Sequence, residues 1–239
     1  MIFEYMHTNG VNDNILNDFN VMVDMYTENT DSNVFDAISR SILKTGNNRV
    51  LTFHSRSETK SDKGSNVIDF VNQELFVKSF NKVRKKEFSH LKNKYKKITL
   101  EGITASIKNK LKLLEEFDSA KDDEIYILAS CKTIGEGIDT KNANMCVFID
   151  PKQSYIEIIQ NIGRICIKNE NTKGLATVLI PVYVDVNKYK NCKTEEEQDE
   201  VIKSEMSKTG DFNGILSVLS ALRQEDPYMF VKTKLRTVC

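Results

Sequence analysis

The sequence is poor in the residues that bind metals or cross-link a chain. Its five cysteines form no C-x-x-C pair and are odd in number, and its three histidines are widely spaced. Cys146 lies within an apolar segment, where a thiol usually acts as a small hydrophobic group. We therefore expect no metal site, and we expect the protein inside the cell in a reducing compartment, the cytoplasm or the nucleus.

The sequence also lacks a membrane span and a net charge. No apolar run approaches the roughly 20 residues that cross a bilayer, and Glu4 and His7 interrupt any secretory signal at the N-terminus. The 34 basic and 34 acidic residues cancel, so nucleic-acid binding would need a local basic patch. With 239 residues, 40% of them hydrophobic, the chain can bury a core without disulfide or metal support, which indicates a soluble globular protein with no membrane partner.

What the sequence does contain is a regular alternation of strand and helix patterns between Val50 and Val184. This alternation predicts an α/β fold in three layers, a mainly parallel sheet with helices on both faces. Gly102 is expected to form a turn, Thr104 to cap a helix and Pro181 to interrupt the last strand. Strands are predicted at residues 18–24, 50–53, 98–100, 125–128, 146–149 and 176–184. Helices are predicted at 34–45, 67–83, 104–117, 154–163 and 215–222, with an exposed polar segment at 187–211.

Polar residues follow three of the predicted strands, at 54–57, 130–139 and 150–154. In doubly wound sheets, ligands bind beyond the carboxyl ends of the strands, so these segments are the first candidates for a site. The two glycines of Gly135-Glu136-Gly137-Ile138-Asp139 let backbone N–H groups approach a ligand, and Asp139 could accept a hydrogen bond from a ribose hydroxyl or orient an arginine. Taken alone, the same five residues also fit a tight turn with a capping aspartate.

Arg164 ends the helix predicted from Ser154, and Gln160 lies one turn earlier on the same face. A guanidinium matches phosphate oxygens with a rigid set of donors, although an isolated arginine at this place would more often be a surface residue. An acid, an arginine and exposed backbone within about forty residues suit a nucleoside triphosphate better than a metal or an acyl substrate. A dinucleotide-binding dehydrogenase is excluded, since no G-x-G-x-x-G opens a helix after the first strand.

A basic run covers residues 78–97, with Lys85 and Lys86 near its centre and Glu87 as its one acid. Phe88 and Tyr95 interrupt it. Such a patch suits sequence-independent contacts with phosphates, and it also fits a solvated helix face that only aids solubility.

Taken together, these segments resemble the second RecA-like domain of superfamily 2 helicases and translocases, in the restriction-enzyme-like branch. The resemblance covers residues 1–225. The matching segments are Val50–Ser55 with motif IV, Cys131–Asp139 with motif V, Asp150–Ser154 with the D-P-x-x-S that follows it, and Gln160–Arg164 with the start of motif VI, Q-x-x-G-R-x-x-R. The implied division is a join and first strand at 1–30, a RecA-like domain at 31–186 and a helical extension at 187–239.

The resemblance also implies roles for individual residues. The proposed ATP contacts are Gly135, Gly137, Asp139 and Arg164, with Gln160 beside Arg164 in the catalytic motif. The proposed nucleic-acid contacts, on DNA or RNA, are Ser55, Arg56, Cys131 and Lys132, joined by the basic residues Lys85 and Lys86.

Two departures from the family pattern bear on activity. The last motif VI arginine falls at Ile167, and Lys168 would project about 100° away around a helix. The chain also has no G-x-x-x-x-G-K-[S/T], the loop that cradles phosphates. ATP with Mg²⁺ is therefore expected only when a first RecA-like domain is supplied in cis or in trans, and the isolated chain is expected to be inactive. The alternative is a degenerate helicase-like domain that acts as a non-catalytic nucleic-acid-binding or scaffold module.

Overall fold

The computed structural model describes residues 6–27, 30–57, 65–131, 140–152, 154–168, 174–185, 187–205, 212–226 and 236–238. They form one seven-stranded sheet in the order β3-β4-β2-β5-β6-β1-β7, and every pair of neighbouring strands is parallel. The strands are β1 Phe19–Tyr26, β2 Arg49–Phe53, β3 Lys97–Ile103, β4 Glu124–Ser130, β5 Met145–Phe148, β6 Ala176–Tyr183 and β7 Arg236–Val238. The predicted parallel α/β sheet is confirmed.

Helices cover both faces of the sheet, because the central strands are apolar on both sides. The helices are α1 His7–Asn12, α2 Asp31–Thr45, α3 Val67–Phe70, α4 Gln73–Glu87, α5 Lys110–Asp118, α6 Tyr155–Ile165, α7 Asn187–Lys190, α8 Glu195–Glu205 and α9 Asn213–Glu225, with a 3₁₀ turn at Ser89–Leu91. Side chains of α2, α3 and α4 fill one core. Those of α5, α6 and α9 fill the other. Three layers result, as predicted.

The helix predicted over residues 67–83 is two helices, and this prediction was wrong in detail. The chain leaves helical geometry at Val71, and Asn72 begins α4 by accepting a hydrogen bond from the N–H of Leu75 at 3.0 Å. An asparagine that caps a helix competes with the continuous backbone ladder, which explains the break. The apolar stripe still lies on one side, since Phe70, Phe76 and Phe80 enter the same core.

Three single-residue predictions also differ from the structure. Gly102 lies inside β3, and Thr104 does not cap α5, which begins six residues later after Asn109. Instead, the Thr104 hydroxyl bonds that of Ser106 at 2.9 Å. Pro181 does not interrupt β6, because β5 pairs only with Thr177–Leu179 and β6 has no β5 neighbour beside the proline.

The segment beyond residue 187 contributes more than helices. α9 packs on α6, and β7 pairs with β1 through Met22–Asp24. The described C-terminal residues therefore complete both a helical layer and the sheet, whereas a purely helical extension was expected.

Candidate functional site

At the carboxyl edge of the sheet, the ends of β2 and β4 bring together three of the predicted nucleic-acid contacts. The N–H of His54 donates to the carbonyl of Ser130 at 2.9 Å, so the residues that follow each strand are neighbours. Ser55 is exposed, and Arg56 and Cys131 are half-buried. This edge can therefore present a hydroxyl and a guanidinium to a polar ligand, while the predicted contact Lys132 lies outside the described residues.

Asp150, the second residue after β5, holds this edge together. Its carboxylate accepts the N–H and hydroxyl of Ser55 at 2.8 and 2.7 Å, and the N–H and hydroxyl of Ser65 at 3.0 and 2.6 Å. Burial alone would raise the pKa of Asp150, but the hydrogen bonds from Ser65 and Ser55 outweigh it and lower that pKa below its usual value. One carboxylate thus fixes both ends of the segment 55–65.

His54 is a buried structural group within the same network. Its ring nitrogens lie 2.9 Å from the Thr52 hydroxyl and 2.8 Å from the Ser65 hydroxyl. Burial lowers the pKa of His54 to about 4, with a further lowering by Lys152 and an opposing effect of Asp150. The ring is therefore neutral at pH 7, so His54 positions Ser65 and carries no charge toward a ligand.

We expect Asp150→Asn to lower the free energy of unfolding by about 2–3 kcal/mol, because an amide replaces a charged acceptor of several hydrogen bonds and turns an N–H₂ group toward the serine donors. The folded pKa of Asp150 is below its unfolded value near 3.9. Its stabilisation is therefore complete above about pH 4 and disappears as the pH falls through the folded pKa. Urea titrations from pH 7 down to about pH 3 measure both effects.

Asp199 is the matched control for this prediction, since it is exposed on α8. Asp199→Asn should change the free energy of unfolding by less than about 0.5 kcal/mol. Equal stabilities of the Asp150→Asn and Asp199→Asn variants at pH 7 would contradict the role assigned to Asp150.

Arg164 lies at the opposite, amino edge of the sheet. The Ser154 hydroxyl accepts the N–H of Glu157 at 3.3 Å to begin α6, and the helix then runs back across the sheet. The carbonyl of Cys166, just past the end of α6, accepts the N–H of Asn17 at 2.8 Å, two residues before β1. A search limited to the carboxyl ends of the strands would therefore miss Arg164. Gln160, one turn earlier, is exposed on α6.

The residues that follow Asp139 also lie at the amino edge. The N–H groups of Lys141 and Asn142 donate to the carboxylate of Asp118, each at 3.0 Å, just before β5 begins. Thr140 is fully buried there. The predicted ATP contacts Gly135, Gly137 and Asp139 lie outside the described residues, but the chain enters that segment at the carboxyl edge and leaves it at the edge where Arg164 lies.

The described residues impose no steric need for a glycine at position 163, next to Arg164. It is exposed within α6, and a β-carbon built on it meets no atom within 4 Å. We expect Gly163→Ala to raise the free energy of unfolding by up to about 1 kcal/mol, because alanine favours a helix over glycine by that amount. Gly46, with φ of 81° at the end of α2, is the contrasting control, and Gly46→Ala should destabilise. Thermal unfolding of both variants measures the difference, and a destabilised Gly163→Ala would contradict this interpretation.

Position 167 is an isoleucine, so its side chain adds no positive charge at the amino edge where Arg164 lies. The backbone of Ile167 bridges Leu16, and its carbonyl accepts the Asn17 side-chain amide at 3.2 Å. The neighbouring Lys168 donates to the Asn14 side chain. Lys168 is therefore engaged with the segment before β1 and does not replace the arginine missing at position 167.

The predicted contacts Lys85 and Lys86 are exposed in the last turn of α4. Because α4 begins beyond the end of β2 and ends before β3, these lysines lie toward the amino edge. The two lysines therefore lie at the opposite edge of the sheet from Ser55, Arg56 and Cys131. A seven-residue strand such as β4 separates the two edges by about 20 Å.

Two further findings concern other classes of site. Within the described ranges, no group of three or more His, Cys, Asp or Glu side chains is placed to hold a metal ion. No helix in that part of the chain is both long and apolar enough to cross a bilayer.

The parallel sheet, the strand order and the polar residues at its two edges define a RecA-like α/β domain. The helicase conserved C-terminal domain family matches residues 34–166, more than half of the chain. The chain belongs to this family, which confirms the predicted resemblance to the C-terminal RecA-like domain of helicases. No curated protein sequence matches it.

Solved structures with similar folds include a DNA-bound ATP-dependent Type ISP restriction-modification enzyme, LlaBIII. It has a TM-score of 0.62 and 17% identity, over 96% of this chain and 16% of that enzyme. Domain 2 of the DEAD-box helicase Mss116p bound to an RNA duplex matches with a TM-score of 0.41, 15% identity, and coverage of 87% and 78%. A fragment of a putative HsdR subunit of a type I restriction enzyme from Vibrio vulnificus YJ016 matches with a TM-score of 0.47, 14% identity, and coverage of 82% and 37%. The chain thus spans 16% of the length of LlaBIII.

Proposed function

We propose that this chain is the C-terminal half of an ATP-dependent nucleic-acid helicase or translocase. Its carboxyl edge binds DNA or RNA through Ser55, Arg56, Cys131 and Lys132. Its amino edge closes over ATP through Arg164, and Gly135, Gly137 and Asp139 supply further contacts with ATP. The observation that carries this proposal is the separation of the described residues, with Ser55, Arg56 and Cys131 at the carboxyl edge of the sheet and Arg164 about 20 Å away at the amino edge.

This separation suits a motor. A nucleotide at one edge and a nucleic acid at the other can be bound by the same rigid sheet without competing for space. Movement of the whole domain on ATP binding would then displace the nucleic-acid edge, because a packed sheet transmits rigid-body motion. Asp150 supports the coupling by fixing the backbone of Ser55 to the end of β5.

The residues at the amino edge fit one side of an ATP site. Arg164 is half-buried and adjacent to the exposed backbone of Gly163, so a phosphate and a second protein surface could both approach it. ATP with Mg²⁺ supplies the phosphoryl group that is transferred to water. The phosphate loop would come from a first RecA-like domain, in cis or in trans, because this sequence does not contain one.

ATP turnover by the chain alone and by the chain joined to a first RecA-like domain tests the proposal. The isolated chain should show no ATP hydrolysis. The joined protein should hydrolyse ATP, and duplex or single-stranded DNA or RNA should stimulate it. If the isolated chain hydrolysed ATP steadily and Arg164→Ala abolished that hydrolysis, the proposal that a first RecA-like domain must supply the phosphate loop would be wrong.

A second function is favoured by Ile167. Without the family's last arginine, the domain could bind nucleic acid and a partner domain without hydrolysing ATP. The joined protein distinguishes the two functions, since nucleic-acid binding with no stimulated turnover would support the non-catalytic module.

A further inference from the structure

An exposed group of lysines surrounds the end of α4 at the amino edge. Lys44 ends α2, Lys85 and Lys86 end α4, and Lys92, Lys94 and Lys97 lie between α4 and β3 or at the start of β3. All six are exposed, and the space beside Gly46, two residues after Lys44, is approached by the Lys94 ammonium. We call these six residues the amino-edge lysine cluster.

The acids near the amino-edge lysine cluster are engaged by other cations. Glu87 binds Arg40 at 3.2 Å, Asp123 binds Lys96 at 2.6 Å, and Asp122 binds Arg49 at 3.2 Å. Within the parts of the chain that the structure covers, no acid lies within ion-pair distance of the six lysines. Residues 82–97 hold eight basic residues and one acid, although the whole chain is neutral. The positive charge is therefore concentrated at this one place.

Helix stabilisation explains only half of this cluster. Lysines in the last turn of a helix interact favourably with its dipole, which accounts for Lys44, Lys85 and Lys86. Lys92, Lys94 and Lys97 lie beyond the helix ends, where this effect has decayed. The Lys94 ammonium lies 5.1 Å from the centroid of the Tyr95 ring, a contact that leaves its positive charge unneutralised. The three charges raise the repulsion within the cluster, so an external anion is the simplest partner that neutralises all six.

The aromatic residues of this segment are not available to stack on bases. The Tyr95 side chain is 7% exposed and contacts Phe80 edge to face, with ring centroids 5.9 Å apart. Phe88 is half-buried against the same core. Proteins that hold single strands combine cations with exposed aromatic faces. A cationic surface without such faces suits the stacked, regularly spaced phosphates of a duplex.

We propose that the amino-edge lysine cluster is a second nucleic-acid surface, which holds the phosphate backbone of a duplex segment away from the carboxyl edge. This inference rests on the proposed function and adds to it. The cluster lies on the face covered by α2 and α4, whereas Arg164 lies in the layer of α5, α6 and α9. A duplex at the cluster therefore leaves the Ser55 edge accessible, and it approaches the amino edge from the face of α2 and α4, opposite the layer that holds Arg164.

The test is a binding measurement on the whole chain, with a labelled duplex of about 25 base pairs and a single strand of equal length over a range of salt. The triple variant K85E/K86E/K92E should weaken duplex binding at least about tenfold near 100 mM salt. It should also reduce the slope of log affinity against log salt by about 2 to 3, because three phosphate contacts are lost. The control K190E/K193E/K203E changes the net charge equally at exposed lysines of the α7–α8 region and should leave both values within about twofold.

Arg56→Ala separates this inference from the proposed function. If Arg56→Ala weakens binding and the triple variant does not, the cluster is not a nucleic-acid surface and the proposed carboxyl-edge contact stands. If the reverse holds, the cluster is supported and the carboxyl-edge contact is not. A larger loss for the single strand than for the duplex would overturn the duplex assignment. Displacement of the duplex by poly-glutamate as readily as by unlabelled duplex would overturn it in favour of an acidic protein partner.

Protection of lysines from acetylation gives a readout on the unaltered chain. Bound duplex should slow acetylation of Lys85, Lys86, Lys92 and Lys94 relative to Lys190 and Lys203, and equal rates at the two groups would contradict the proposal.

Discussion

Replacement of Arg164 by alanine is expected to lower nucleic-acid-stimulated ATP hydrolysis by about 100- to 1,000-fold when the chain is joined to a first RecA-like domain. Arg164 lies half-buried at the amino edge, and Ile167 leaves it without the family's second arginine. A guanidinium that contacts the terminal phosphates in the transition state contributes to kcat, so the loss should fall on kcat and kcat/KM together. Steady-state kinetics over a range of ATP concentrations measure both constants.

The control for Arg164 is Arg223, which is also in the last turn of a helix but is exposed on α9. Arg223→Ala should leave kcat within about twofold, as surface substitutions usually do. Arg164→Lys should recover only a small part of the activity, because an ammonium cannot reproduce the paired donors of a guanidinium. Full activity of Arg164→Ala would remove Arg164 from the proposed ATP site.

The second prediction with a large expected effect is an increase in ATP hydrolysis. Ile167→Arg is expected to raise stimulated ATP hydrolysis of the joined protein by about 100-fold or more, because it restores the arginine that neutralises charge on the transferring phosphoryl group. The contacts that hold position 167 come from its backbone, through the bridge to Leu16 and the bond from Asn17. The half-exposed side chain can therefore change without losing them.

Lys168→Arg is the matched control, since Lys168 is held by Asn14 and an arginine there would point to the same place. It should give no gain. If Ile167→Arg also gives no gain while nucleic-acid binding is intact, the amino edge is not a working ATP site, and the non-catalytic module becomes the better description.

The sheet was predictable because its central strands are continuous apolar runs bounded by polar residues. A buried position is required by both apolar runs, Val50–Phe53 and Ile125–Leu128. Because helical patterns lie between the strands, neighbouring strands are expected to run parallel, as β2 and β4 do. The cap at Ser154 was equally local, since its partner Glu157 is three residues away. Local patterns therefore fixed the class of fold and the start of α6.

The arrangement of the site depended on contacts between distant residues. Asp150 binds Ser55 and Ser65, which lie 95 and 85 positions away, and no local pattern indicates that pairing. The amino-edge position of Arg164 follows from the direction of α6, which is antiparallel to the strands. A rule based on strand ends alone could not anticipate a side chain at the far end of a helix.

The place of β1 in the sheet has a consequence for synthesis on the ribosome. Among the described strands of this sheet, β1 is the earliest in the chain, yet its partners are β6 and β7, and Phe19 pairs with Ala176, 157 positions later. At about 5–20 residues per second, translation separates the two for about 8 to 30 s. During that time the apolar segment Phe19–Tyr26 has neither native neighbour. The nascent chain must therefore keep an early strand unpaired until most of the domain has emerged, which makes that strand the natural place for a chaperone to act.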